Sequence, residues 1–164
     1  NFIFVAIFLG YSIGSAPIVS YHYGARNSEE LKNLLTKSLK MIGVWSVALF
    51  ALAQLIASPL ARIFVGYDPN LFDLTRHGFR IFCLAFLVNG FNIYGSSFFT
   101  ALNNGLLSAV ISFLRTLVFQ IASVLLLPMI FGIDGIWGAV FVAEILTLCV
   151  TIICLAKKQK VYHY

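Results

Sequence analysis

Residues 81–114 read IFCLAFLVNGFNIYGSSFFTALNNGLLSAVISFL, a run without a charged side chain. A bilayer core about 30 Å thick takes about 20 helical residues at 1.5 Å each, so this run is too long for one crossing. Asn103-Asn104-Gly105 supplies the break: three residues of turn chemistry divide it into a span ending near Leu102 and another starting near Leu106. The number of crossings depends on that division.

Outward from this point the same pattern repeats. Uncharged windows cover residues 1–25, 41–61 and 116–133, and Gly135–Ala156 is interrupted only by Glu144. The expected architecture is an all-α integral membrane protein, a bundle of five transmembrane helices at about 2–23, 33–59, 74–102, 106–130 and 135–156. Composition agrees. The chain is 60% hydrophobic and 10% charged, with a mean hydropathy of +0.94, whereas soluble domains carry about a quarter charged residues. The lipid bilayer is therefore its expected solvent.

The first segment lacks the basic start of a signal peptide and exceeds the usual apolar stretch of about 7–15 residues. It opens in mid-helix, Asn-Phe-Ile-Phe, without Met, so further chain is expected upstream. Arg26, Lys32, Lys37 and Lys40 follow the first span, and Lys157, Lys158 and Lys160 follow the last. Only Arg62, Arg76 and Arg80 lie on the opposite side. This bias places the connector 24–32 and the tail 157–164 in the cytoplasm. The net charge of +5 is thus a topology signal, and no nucleic acid is expected as a partner.

Cys83, Cys149 and Cys154 lie in apolar windows without metal-site spacing and read as small hydrophobes; no metal or cofactor is expected. His22, His77 and His163 fall near span ends and read as interfacial. The sequence contains no HExxH, GxSxG, Walker loop or GxGxxG, so the motifs give no support to an enzyme.

Polar groups in hydrocarbon need partners, so their positions show which helix faces meet protein or water. Asn89, Asn92, Ser96, Thr100 and Asn103 recur at helical steps and form one stripe. The fourth span repeats the pattern with Ser108, Ser112, Arg115 or Thr116, Phe119 and Ser123, with Gln120 beside them; the fifth has Glu144, Thr147 and Thr151. Each seam either packs helices or lines a wet cavity. Arg115 lies about 15 Å along its span from Gly105, and Glu144 about 20 Å from Lys157. Both depths are near the midplane. An unpaired charge there costs at least about 2.5 kcal/mol, so the two are expected to pair or to face a common polar cavity. Gln54 is a further candidate on the second span.

In the first span Gly10 and Gly14 have GxxxG spacing, which lets a helix approach closely, and Pro17 favours a bend. Pro59 and Pro128 read as markers of span ends. Asn27 or Ser28 can cap a short surface helix that runs into the second span, with Glu29 and Glu30 in its first turn.

The stretches APIVSYHYGARNSEELKNLLTKSLKM (16–41), SSFFTALNNG (96–105) and SFLRTLVFQIASVLLLPMIFGIDGIWGAVFVAE (112–144) together resemble the multidrug and toxic compound extrusion (MATE) transporters. The resemblance covers nearly the whole chain. It implies that the five spans correspond to helices eight to twelve of a twelve-helix, two-lobe transporter, an incomplete C-terminal lobe whose partner is the missing N-terminal lobe. It also implies an activity: export of drugs or small organic cations by antiport with sodium ions or protons, through a cleft that opens alternately to the two sides of the cell (inner) membrane. The proposed substrate or ion pathway takes in Gln54, Asn89, Asn92, Ser96, Arg115, Gln120 and Glu144, with Pro17 as the helix bend. Some members carry a carboxylate on the helix matching residues 74–102, where this chain has Asn89 and Asn92. Asparagine can coordinate an ion through its carbonyl but cannot take up a proton, so coupling falls either to the missing lobe or to Glu144. Competing readings are a flippase for lipid-linked saccharides, which calls for a more basic cleft, and a membrane scaffold subunit without transport.

Overall fold

The computed structural model describes residues 2–162 and 164; His163, read above as interfacial, lies outside them. Five helices follow one another: α1 (Phe2–Gly24), α2 (Ser28–Val65), α3 (Pro69–Ala101), α4 (Gly105–Phe131) and α5 (Ile133–Tyr162). Each is long and apolar enough to cross a membrane.

Helices α2, α3 and α4 begin before the expected spans because side-chain caps set their starts, whereas the thickness of lipid sets only the length of a crossing. Asn27 caps α2, accepting the Glu30 N–H at 3.2 Å. Asp68 caps α3 by accepting from Asn70 at 2.9 Å, and Pro69 occupies the first turn, where its missing N–H costs nothing. Asn104 caps α4 by accepting from Leu107 at 3.1 Å. The turn at 102–104 divides the long uncharged run as expected, with Asn103 in the left-handed region at φ 59°, a conformation asparagine tolerates. Asn103 therefore leaves the polar stripe and belongs to the turn.

The surface helix and second span are one continuous α2, which contains Pro59 and runs on to Val65. A proline deprives a helix of one donor without obliging it to stop. The stop is Gly66, whose N–H bonds back to Arg62 O at 3.1 Å. Pro128 likewise lies inside α4, which ends at Phe131 before Gly132 at φ +60°.

Helix α3 is the axis of the bundle. Its most apolar window is 61% buried, against 11–28% for the other four. It packs against α1 and α2 on one side and α4 and α5 on the other. Close packing rests on three glycines, of which Gly78 admits the Trp137 ring of α5. A Cβ on Gly90 would stand 2.5 Å from Phe8 and 2.8 Å from Ile42, and one on Gly95 would collide with the Thr151 methyl. Among the described residues no helix approaches Gly10 or Gly14: a Cβ at either position meets nothing within 4 Å. Helix α1 turns its Phe8–Ser12–Ser15–Val19 edge to the bundle, and this leaves both glycines on the far side.

Two helices depart from α geometry at mid-length. Helix α3 tightens to a 3-10 turn at Cys83–Ala85, and α4 widens to a π turn at Leu114–Phe119. Helix α1 stays helical across Pro17.

Candidate functional site

The π turn of α4 contains Arg115. Its closing bond runs from the Gln120 N–H to Arg115 O, five residues back, and such insertions occur often at functional sites. Opposite it, α5 turns a face of small residues inward: Gly135, Ala139 and Ala143 are buried and bring α5 close to its neighbours, and Glu144, Thr147 and Thr151 share that face.

Arg115 and Glu144 meet across this contact. The guanidinium donates to Glu144 Oε1 through Nε at 2.9 Å and Nη2 at 2.7 Å, and Nη2 also donates to Asn89 Oδ1 at 2.6 Å. Asn92 Nδ2 donates to Glu144 Oε2 at 2.7 Å and to the Glu144 backbone carbonyl at 2.8 Å. The Thr151 hydroxyl donates to Asn92 Oδ1 at 3.2 Å and so fixes the orientation of the amide. The side chain of Glu144 is 6% exposed and that of Arg115 24%. The pair is formally neutral, and every carboxylate oxygen is engaged, as burial of a charge requires.

Toward the 102–104 turn the seam continues as hydroxyls. Ser96 Oγ shares hydrogen bonds of 2.9 Å with both Ser108 Oγ and Ser112 Oγ, and Thr100 Oγ1 donates to Ser108 Oγ at 2.7 Å. The hydroxyls and the exposed edge of Arg115 line an open groove of about 270 Å³. Its floor is α3 (Ile93, Ser96, Ser97, Thr100), and its walls are α1 (Leu9, Ser12, Ile13) and α4 (Ser112, Arg115).

Of the residues singled out from the sequence, Asn89, Asn92, Arg115 and Glu144 form one network, and Ser96 joins the adjoining groove. Gln54 stands apart. Its Nε2 donates to Arg80 O at 3.0 Å, next to the 3-10 turn where the regular ladder of α3 is disturbed. Gln120 makes no side-chain hydrogen bond among the described residues; its backbone closes the π turn. Sequence reasoning missed Ser12 and Ser97 in the groove wall and floor. It also missed the 3.0 Å contact between His77 and Asp134. A signal for that contact exists, since both residues lie near the starts of helices that begin on the same side.

A protein-family model described as MatE matches residues 1–126. Among solved structures, the chain is similar to the outward-facing conformation of a multidrug resistance MATE family transporter of the MOP superfamily, at a TM-score of 0.90 and 18% identity over 99% of this chain and 37% of that one. It is similar to an inward-facing conformation described in the same words, at 0.89 and 18% over 99% and 38%. The bent form of the Vibrio cholerae MATE transporter VcmN gives 0.88 and 17% over 98% and 36%. At these identities the likeness is one of fold, and the chain spans little more than a third of the length of these structures. No match was found among curated protein sequences.

Proposed function

Because the chain belongs to the MatE family, which its family model shows over residues 1–126 and which is a family of transporters and not of enzymes, we propose that it acts as the C-terminal lobe of a secondary transporter. The transporter exports drugs or small organic cations across the cell (inner) membrane by antiport with sodium ions or protons. The lobe works against an opposing N-terminal lobe, with its tail in the cytoplasm and its groove toward the shared cleft. The substrate pathway of this lobe takes in Asn89, Asn92, Ser96, Arg115 and Glu144, and Pro17 is the point at which α1 can bend.

The observation that carries this reading is the joined network of Asn89, Asn92, Arg115 and Glu144 deep within three packed helices. Ionisable groups inside a membrane bundle are expensive, and they mark substrate and ion pathways by default. The test is efflux of a fluorescent organic cation from cells lacking their own pumps. Glu144→Gln is expected to reach the membrane in normal amount and to lose at least about tenfold in efflux rate, one decade for each 1.4 kcal/mol of interaction removed. Full efflux from that variant would exclude Glu144 from the pathway. Loss of membrane-inserted protein in place of efflux would favour a scaffold.

One observation favours a second reading. The groove lining contains a guanidinium and hydroxyls and no carboxylate, a donor set that suits an anionic, oxygen-rich headgroup. This is the chemistry of a flippase for lipid-linked saccharides. Reconstituted vesicles that move a labelled lipid-linked sugar but not an organic cation would establish it.

A further inference from the structure

Each side-chain oxygen of Glu144, Asn89 and Asn92 is already taken by a donor from the chain itself. Glu144 Oε1 and Asn89 Oδ1 converge on one atom, Arg115 Nη2, at 2.7 and 2.6 Å. Glu144 Oε2 holds Asn92 Nδ2 at 2.7 Å, and Asn92 Oδ1 holds Thr151 Oγ1 at 3.2 Å. A carboxylate and an amide carbonyl directed at one point in a buried setting are the ligands a small hard cation takes. Here the point is filled by a positive charge that cannot leave and cannot be deprotonated.

We propose that Arg115 is a tethered cation occupying a monovalent-cation site, so that this lobe binds no dissolved sodium ion at its polar network, and that shortening Arg115 opens the site to one. Ion coupling in the intact transporter is then carried elsewhere. This deepens the transport reading and rests on it only for the membrane setting. The guanidinium also explains how a seam with two asparagines and a glutamate holds together without an ion: its three contacts to Glu144 and Asn89 are the ones a bound ion would make.

The experiment reads thermal stability and transport separately. Protein purified from membranes is melted in sodium chloride and in choline chloride at matched ionic strength. The wild type is expected to melt at the same temperature in both. Arg115→Gln is expected to gain a saturable, sodium-dependent rise of about 3–10 °C, the shift that a ten- to hundredfold excess over Kd gives in a domain of this size. The double variant R115Q/E144Q should lose that rise, and Arg115→Lys, which keeps a tethered charge, should behave as the wild type. If R115Q folds only when extracted in sodium, that is the same result. Saturable sodium binding by the wild type that Glu144→Gln abolishes would overturn the proposal. So would an R115Q protein that sodium neither stabilises nor rescues. No transport is measured in the melts, so their failure leaves the transport reading standing, and failure of the efflux assay leaves the melts interpretable.

Discussion

The two sides of α3 bury polar groups in different ways. Toward α1 and α2 the buried polar groups are hydroxyls: Tyr11 OH donates to Ser38 Oγ at 2.9 Å, and Ser12 Oγ and Ser46 Oγ have no partner among the described residues. Every charged side chain of α2 is exposed. Toward α4 and α5 lies an ion pair of a buried carboxylate and a partly buried guanidinium, bonded into a chain of five residues from Asn89 to Thr151. A lone hydroxyl costs about 1–3 kcal/mol when left unpaired, whereas an uncompensated charge costs several times more. A neutral group can therefore stay without a partner on either side, as Ser46 Oγ does on one and Trp137 Nε1 on the other, whereas the charges of Arg115 and Glu144 cannot.

The comparison is broken most severely by removing half of the ion pair. Glu144→Leu leaves the Arg115 guanidinium unpaired and should destabilise the protein by about 3–5 kcal/mol, read as a lower melting temperature in detergent. The double variant R115L/E144L should recover most of that loss. Equal damage from the single and double variants would mean that charge pairing is not what separates the two sides.

Next in size are two of the three glycines of α3, Gly90 on one side and Gly95 on the other. Gly95→Ala pushes Thr151 away from Asn92, and Gly90→Ala presses on Phe8 and Ile42. Each should cost about 1–3 kcal/mol by overpacking. Only Gly95→Ala should also reduce efflux, because only it disturbs the polar chain, and a parallel loss in both would blur the division. The smallest effect is expected at Ser46→Ala, where an unpaired buried hydroxyl is replaced by a methyl group. Stability should stay the same or rise by about 1 kcal/mol, because an unpaired polar group is removed at the cost of a small void. A loss would reveal a partner for that hydroxyl.

Much of this was legible in the sequence because hydrocarbon allows few alternatives. The uncharged windows set the helix count, Asn103-Asn104-Gly105 set the one ambiguous turn, and two charges at matching depth on neighbouring antiparallel helices had either to pair or to face a common polar cavity; the structure pairs them. What escaped depends on rotation about the helix axis, which a periodic polar stripe constrains only loosely. Gly10 and Gly14 carried the spacing for close approach, yet the contacts formed at Gly90 and Gly95, because Phe8 and Val19 turned the other edge of α1 inward. Gln54 was legible as a polar residue in a span, but its partner, the Arg80 carbonyl of α3, was not. The π turn around Arg115 leaves no mark in the apolar pattern, although it is where α4 supplies the guanidinium.

The 38 residues of α2 have a consequence for packing. At 1.5 Å per residue the helix is about 57 Å long, and even tilted by 40° it would cover about 44 Å along the bilayer normal. It thus reaches beyond a hydrocarbon core of about 30 Å at any such tilt. Only Ala25, Arg26 and Asn27 join it to α1. Its first turns, which carry Leu31 into the same buried cluster as Val19 of α1, are thus a part of the fold whose packing does not depend on lipid.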